Sequence, residues 1–95
     1  MYHSNMHLNE LAKHMRTVGD ESRLKILCVL FEKKKVCVSD IAHRLDMSVA
    51  VVSHHLQVMF REGLAVPVRQ GKRICYELSK ESFMSDLKKF VCKYK

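Results

Sequence analysis

The spacing of apolar residues predicts two helices at the start of the chain. In the first stretch they recur every three or four positions, as on one face of a helix, and Gly19 ends the pattern. These positions are Leu8, Leu11, Met15 and Val18. A second stretch, with Asp20 or Ser22 as its N-cap, has a wider apolar face. Its members are Leu24, Ile26, Leu27, Val29, Leu30 and Phe31.

Two shorter helices with a brief connection between them follow. Ser39 is predicted to cap a short helix over residues 41–45. Ser48 is predicted to cap the next helix, which Gly63 ends. That helix is expected to direct four apolar side chains inward, those of Val52, Leu56, Met59 and Phe60. Two short helices joined this closely are the outline of a helix-turn-helix.

Beyond Gly63 the period changes from helical to alternating, which predicts a two-stranded hairpin with Gly71 in its turn. The alternating positions are Val66, Val68, Ile74, Tyr76 and Leu78. Pro67 lacks a backbone N–H, so its strand is expected at the edge of the sheet. Cys75 is expected to point outward from the hairpin, and no role is assigned to it.

A last helix, starting at Ser79 or Lys80, carries a stripe of Phe83, Leu87, Phe90, Val91 and Tyr94. The order of elements is therefore α-α-α-α-β-β-α, a mainly α fold with a β-hairpin wing. Residues 1–95 are expected to form one winged helix-turn-helix domain. Because so small a core cannot cover the apolar faces of every helix, the N- and C-terminal helices are predicted to form a homodimer interface.

Charge narrows the class of partner. The chain has 17 Lys and Arg against 10 Asp and Glu, a net charge of +7, which suits a polyanion. Double-stranded DNA is favoured over a membrane, because the longest apolar run, residues 49–52, is far shorter than the ~20 residues of a bilayer span. No signal-peptide pattern is found, so a cytoplasmic location is expected. No phosphate-binding loop, nucleophile elbow or carboxylate pair supports an enzyme or any catalytic residue.

The predicted DNA-contacting residues lie on the second helix of the helix-turn-helix and on the wing. The start of that helix normally enters the major groove. Its outward positions are Ser48, Val49, Ala50, Ser53, His54 and Gln57. Basic residues at the hairpin tip can meet phosphates, and these are Arg69, Lys72 and Arg73.

These segments resemble the ArsR/SmtB family of metalloregulators. The similarity lies in Ser-Val-Ala-Val-Val-Ser-His-His-Leu at 48–56, Glu-Gly-Leu-Ala at 62–65, the wing at 69–78, and 19–27 in the second helix. The resemblance implies a homodimeric repressor that binds a near-palindromic operator and releases it when an inducer binds. Positions 49 and 50, often polar in that family, are Val and Ala here, so base preference is not carried over.

The four cysteines are far apart in sequence, which is typical of free or sensory thiols in a reducing compartment. Cys28 and Cys92 resemble the second-helix and last-helix cysteines of the family's persulfide- and redox-sensing branch, the BigR and SqrR type. The resemblance implies that an oxidant or reactive sulfur species links them and releases the operator. Nearby lysines are expected to lower a thiolate pKa, and these are Lys25, Lys88, Lys89 and Lys93.

Two alternatives remain open. Cys37 and Asp40 resemble half of another metal site of the family, to which His3 and His7 would add ligands suited to zinc. Two further family sites are incomplete, because residues 79–95 contain no His and because Ser39 replaces a cysteine. The other alternative is a constitutive winged-helix DNA-binding or interaction module that responds to no inducer.

Overall fold

The computed structural model describes residues 7–95 and confirms the predicted winged helix-turn-helix. In chain order its elements are α1 (Leu8–Val18), α2 (Glu21–Glu32), β1 (Val36–Cys37), α3 (Val38–Leu45), α4 (Val49–Arg61), β2 (Ala65–Gln70), β3 (Arg73–Leu78) and α5 (Ser82–Cys92). Within the described residues, no helix is both long enough and apolar enough to cross a membrane.

Two of the predicted helix caps are confirmed. The Asp20 carboxylate accepts a 3.0 Å hydrogen bond from the N–H of Arg23, and the Ser48 hydroxyl accepts one of 3.1 Å from the N–H of Val51. Each satisfies an amide that has no partner in the first turn of its helix.

Two predicted helix starts are wrong. α3 begins at Val38 rather than after Ser39, because the extended residue Cys37 leads directly into it. α5 begins at Ser82, because the N–H of Ser79 still donates to the carbonyl of Leu64 at the end of the sheet.

The sheet has a strand that the sequence did not predict. β1 pairs antiparallel with β3, and the strand order is β1-β3-β2, so β3 is central. Two residues are too few to show an alternating pattern. Pro67 lies on the edge strand β2, as predicted. Gly71 in the hairpin turn has a φ of 61°, a conformation that a residue without a Cβ adopts at little cost.

The core is formed by the inner faces of α2, α3 and α4 with the start of the sheet. Its largest fully buried side chains are Ile26, Leu27, Ile41, Val52, Leu56, Met59, Leu64 and Cys75. Three predicted orientations are wrong: Phe60 is 48% exposed, Ile74 is exposed, and Cys75 is buried. Cys75 is covered because it lies opposite Cys37 in the ladder between β1 and β3.

The terminal helices keep much of their apolar surface exposed. The large apolar side chains that remain open on α1 and beyond the middle of α5 are Leu8, Met15, Phe90 and Tyr94. Phe90 and Tyr94 contact each other in a T-shaped, edge-to-face arrangement, with ring centroids 5.4 Å apart. A single chain therefore leaves two apolar helix faces only partly covered.

Candidate nucleic-acid interface and thiol sites

The turn between α3 and α4 sets the position of the recognition helix. Asp46 ends α3 in the left-handed conformation, with a φ of 55°, which Asp tolerates better than most residues. The N–H of Met47 donates to the carbonyl of Ala42, so the turn is closed by the backbone. The chain then enters α4 at Ser48 and buries Val52 against the core.

The predicted base-reading residues lie on the open face of α4. Ser53 is half-buried, and its hydroxyl accepts a 3.4 Å hydrogen bond from the amide of Gln57. The exposed members are Ser48, Val49, Ala50, His54 and Gln57. This end of α4 thus offers a hydroxyl, an amide, an imidazole and two small apolar side chains on one surface.

The wing places its cations beside that surface. Arg69, Lys72 and Arg73 are all exposed. Arg73 donates from one guanidinium nitrogen to the Asp40 carboxylate at 2.8 Å and to the Ser39 hydroxyl at 3.1 Å. The wing is thereby attached to the first turn of α3.

A cleft of about 330 Å³ separates α4 from the wing. Residues of both predicted groups line it: Val49, Ser53, Gln57, Lys72 and Arg73. Ile74 adds an apolar side chain from β3. The structure therefore brings five of the nine predicted DNA-contacting residues together around one opening. The other four do not line it, and these are Ser48, Ala50, His54 and Arg69.

Cys28 lies in a second, larger opening between α2 and α5. This groove measures about 570 Å³, and its apolar lining residues are Leu24, Val29, Leu45, Phe90, Val91 and Tyr94. Cys28 is half-buried and Cys92 is exposed, and both are free thiols.

The electrostatics of Cys28 differ from the prediction. Burial raises the pKa of the Cys28 thiol, and the nearby Lys95 ammonium only partly opposes that shift. Lys95 itself forms a 3.1 Å ion pair with Glu32 at the edge of the groove. The expectation that neighbouring lysines lower the pKa is therefore wrong for Cys28, because desolvation of its thiolate is the larger effect.

The predicted zinc ligands that the structure describes are not assembled. Cys37 is joined to Cys75 by a disulfide, and Asp40 is paired with Arg73. His7 is exposed at the start of α1, and His3 lies outside the described residues. Within residues 7–95, no group of three His, Cys, Asp or Glu side chains is placed to hold a metal ion. The three predicted ligands within residues 7–95, which are His7, Cys37 and Asp40, therefore do not form a zinc site in this arrangement.

A buried polar cluster between α1 and the end of α4 was not predicted. His14 Nδ1 lies 3.2 Å from one oxygen of Glu62, and the Thr17 hydroxyl donates to the other. His14 and Thr17 are both at most 6% exposed. The sequence contains one sign of this burial, because His14 and Thr17 fall on the same face of α1 as the apolar residues Leu11 and Val18.

A second polar contact joins α2 to α4. Arg23 donates to the carbonyl of Thr17 at 2.7 Å and to Nδ1 of His55 at 3.3 Å. Burial and the Arg23 charge lower the pKa of His55, so the neutral imidazole is the favoured form.

Comparison with known proteins places the chain in a family. The family described as "Bacterial regulatory protein, arsR family" matches residues 20–65. A cadmium resistance transcriptional regulatory protein CadC homolog from Staphylococcus aureus is 35% identical over 72 residues, covering 76% of this chain and 60% of that protein. The transcriptional activator HlyU of Vibrio cholerae is 30% identical over 81 residues, covering 78% of this chain and 74% of HlyU.

The fold of a solved structure also matches that of this chain. The homodimeric winged helix-turn-helix DNA-binding domain of a possible ArsR-family transcriptional regulator from Mycobacterium bovis superimposes with a TM-score of 0.78. It is 26% identical, and the match covers 88% of this chain and 76% of that one. The chain spans about half to three fifths of the length of the CadC proteins it matches. The chain belongs to the ArsR family of bacterial regulatory proteins, which confirms the resemblance seen in its sequence and the prediction that it is not an enzyme.

Proposed function

We propose that this protein is a dimeric transcriptional repressor that binds operator DNA through α4 and the wing. One observation carries the proposal: the cleft that brings the open face of α4 and the cations of the wing together. The residues assigned to DNA are Ser48, Val49, Ala50, Ser53, His54, Gln57, Arg69, Lys72 and Arg73. A net charge of +7 favours approach to DNA and non-specific binding to it.

The side chains divide by the information they read. Ser53, His54 and Gln57 can form hydrogen bonds with base edges, and Val49 and Ala50 can contact thymine methyl groups. The wing cations neutralise phosphates, which adds affinity and salt dependence but little sequence preference. α4 therefore supplies specificity, and the wing supplies affinity.

A dimer is supported by the exposed apolar faces of α1 and α5. Burial of these faces between two chains would remove Leu8, Met15, Phe90 and Tyr94 from water. A two-fold dimer requires an operator with two half-sites about one helical turn apart, or a multiple of it.

Selection from random duplex DNA followed by titration tests this function. His54→Ala is expected to change which bases are preferred, whereas Lys72→Ala is expected to weaken binding to all sequences alike and to lower the salt slope by about one. Lys13→Ala on α1 removes the same charge away from the proposed surface and should leave specific binding unchanged. An absence of sequence preference, or equal losses for Lys13→Ala and Lys72→Ala, would contradict the proposal.

Control of repression is assigned to Cys28 and Cys92. The exposed Cys92 is the thiol that a hydroperoxide reaches first. Its thiolate attacks the peroxide oxygen, which releases an alcohol and leaves a sulfenic acid. Cys28 then displaces water and forms a disulfide. With an organic persulfide, the Cys92 thiolate attacks the sulfane sulfur, which releases a thiol and leaves a persulfide on Cys92. Cys28 then attacks the Cys92 sulfur, hydrogen sulfide leaves, and the same disulfide forms. The bridge fastens α2 to α5 and alters the spacing of the two recognition helices.

Peptide mass mapping tests the switch. Reduced protein is treated with a hydroperoxide or an organic persulfide, and its operator affinity is measured in parallel. A bridge between Cys28 and Cys92, with weaker operator binding that Cys28→Ser abolishes, supports the switch. Unmodified thiols, or a bridge that leaves affinity unchanged, would contradict it.

A metal-responsive repressor is the second candidate, and the name of the CadC relative favours it. Its ligands would be Cys37, Asp40, His3 and His7, and its metal zinc. One zinc per chain in purified, reduced protein, lost in Cys37→Ser, would support this candidate. Operator binding that responds neither to oxidants nor to zinc would leave a constitutive DNA-binding module.

A further inference from the structure

The geometry points to a second oxidisable dithiol, Cys37 and Cys75, which reacts with hydroperoxides independently of Cys28 and Cys92 and fixes the wing to the helix-turn-helix. Its chemistry does not depend on DNA binding. Only its effect on operator affinity rests on the proposed function.

The two cysteines are held together by the sheet rather than by chance contact. Cys37 ends β1, Cys75 lies in the middle of β3, and the two residues are direct partners in the antiparallel ladder. Direct partners in such a ladder direct their side chains to the same face. Cys37 is 6% exposed and Cys75 is fully buried. The register therefore keeps both sulfurs together in a nearly closed space.

The surroundings accommodate the reduced pair as well as the disulfide. The amide oxygen of Gln70 lies 3.6 Å from Sγ of Cys75 and 4.0 Å from Sγ of Cys37. That oxygen can accept a hydrogen bond from either thiol once the bond is broken. A buried S–H therefore has an acceptor in the reduced state, so reduction leaves no unsatisfied donor.

The bond lies where it controls the wing. Cys37 directly precedes α3. Arg73 lies two residues before Cys75 on β3 and pairs with Asp40 in the first turn of α3. Cys37–Cys75 thus joins β3 covalently to β1, and Arg73–Asp40 joins β3 through charge to α3, the helix that directly follows β1. Because the ion pair is exposed, it holds the elements weakly by itself. The disulfide is the contact that makes the attachment firm.

The reaction balances with a hydroperoxide as the two-electron oxidant. Cys37, which retains slight exposure, attacks the peroxide and becomes a sulfenic acid while an alcohol leaves. The Cys75 sulfur then displaces water and the disulfide forms. Two thiols are oxidised, the peroxide bond is reduced, and a dithiol reductant reverses the change.

The test uses Cys28→Ser/Cys92→Ser, in which only the proposed pair remains. This protein is reduced, treated with cumene hydroperoxide, and examined by peptide mass mapping and thermal unfolding. A Cys37–Cys75 bridge should form, raise the unfolding midpoint by on the order of 10 °C, and slow amide exchange in β1 and β3. The reductant should reverse all three changes. Failure of the bridge to form, or a bridge without a midpoint shift, would overturn the inference.

Cys37→Ala/Cys75→Ala is the matched control, and the oxidant should not shift its unfolding midpoint. The redox comparison on the first variant needs no change to the core, so it remains decisive if this control fails to fold. In operator titrations, the oxidised form is expected to bind roughly threefold more tightly, because a fixed wing has less freedom to lose. Equal affinities would overturn the link to DNA, whereas absence of specific binding in both states would contradict the proposed function instead.

Discussion

Different kinds of contact stabilise the two sides of this molecule. The wing side, formed by α3, α4 and the three strands, has strand pairing, the Cys37–Cys75 disulfide and the Arg73–Asp40 ion pair. The flank side, formed by α1, α2 and α5, relies on apolar helix faces. The contact of His14 with Glu62 at the end of α4 joins it to the wing side. Both sides leave large apolar side chains exposed, but those of the flank side are 58–76% exposed and those of the wing side 44–53%.

The two cysteine pairs show what this difference means. Strand pairing places Cys37 and Cys75 opposite each other by backbone hydrogen bonds, so their approach follows from register. Cys28 and Cys92 belong to two helices that border the same groove, α2 and α5, and the relative position of these helices depends on how side chains fill the space between them. A ladder fixes pairs of residues, but helix packing leaves room for adjustment.

The largest contrast should appear in core substitutions on the two sides. Leu56 on α4 is fully buried, and Leu56→Ala should lower the free energy of unfolding by about 2 to 5 kcal/mol. Leu87 on α5 is only half-buried, so Leu87→Ala should cost less than half of that in the monomer. Urea unfolding at low protein concentration measures both. Equal costs would mean that α5 is as well packed as the recognition helix.

The next largest loss of stability is expected at the polar cluster between the two sides. Glu62→Ala removes the acceptor of both His14 and Thr17, and should cost about 1 to 3 kcal/mol because two buried donors lose their partner. Glu10→Ala, at an exposed position of α1, is the control and should change stability little. Unfolding in urea at neutral pH compares the two. A cost near zero would show that the cluster contributes nothing to joining α1 to α4.

A smaller effect is expected where α3 holds the wing. Asp40→Asn frees the Arg73 guanidinium for phosphate, so operator binding should tighten roughly two- to threefold and its salt dependence should steepen. Stability should hardly change, because the pair is exposed. Titration at several salt concentrations tests this. Weaker binding would show that the ion pair positions the wing rather than withholding its charge.

The smallest effect concerns pH and the contact between α2 and α4. Burial and Arg23 lower the pKa of His55, whereas Asp20 opposes this shift. As the pH falls below the ordinary histidine value of about 6.5, the unfolded chain takes up this proton first, so stability from His55 falls. His55→Asn should therefore lose less stability than the wild type between about pH 7.5 and pH 5.5. Identical pH profiles for the two proteins would contradict this assignment.

Much of the fold and of the DNA-facing surface could be predicted because both depend on local patterns. Helical spacing followed by alternation gives the order of helices and hairpin, and Asp20 and Ser48 cap their helices through hydrogen bonds to residues only three positions away. The exposed face of α4 follows from the burial of Val52, Leu56 and Met59 at helical intervals. The charge at the hairpin tip is visible in the sequence itself.

The features that escaped prediction depend on residues far apart in the chain. β1 is two residues long and exists only because β3 lies beside it. The burial of Cys75, its partner Cys37 and the attachment of Arg73 to Asp40 all follow from that one pairing. Burial raises the pKa of the Cys28 thiol, and counting nearby lysines could not reveal that burial.

The sequence alone thus determined the winged helix-turn-helix, the family and the candidate DNA surface, because period, caps and charge act within a few residues. Tertiary structure alone decided which cysteines meet, which cations are already paired and which apolar faces stay open. Those outcomes depend on the register of strands and the packing of helices, which bring together side chains that no local pattern relates.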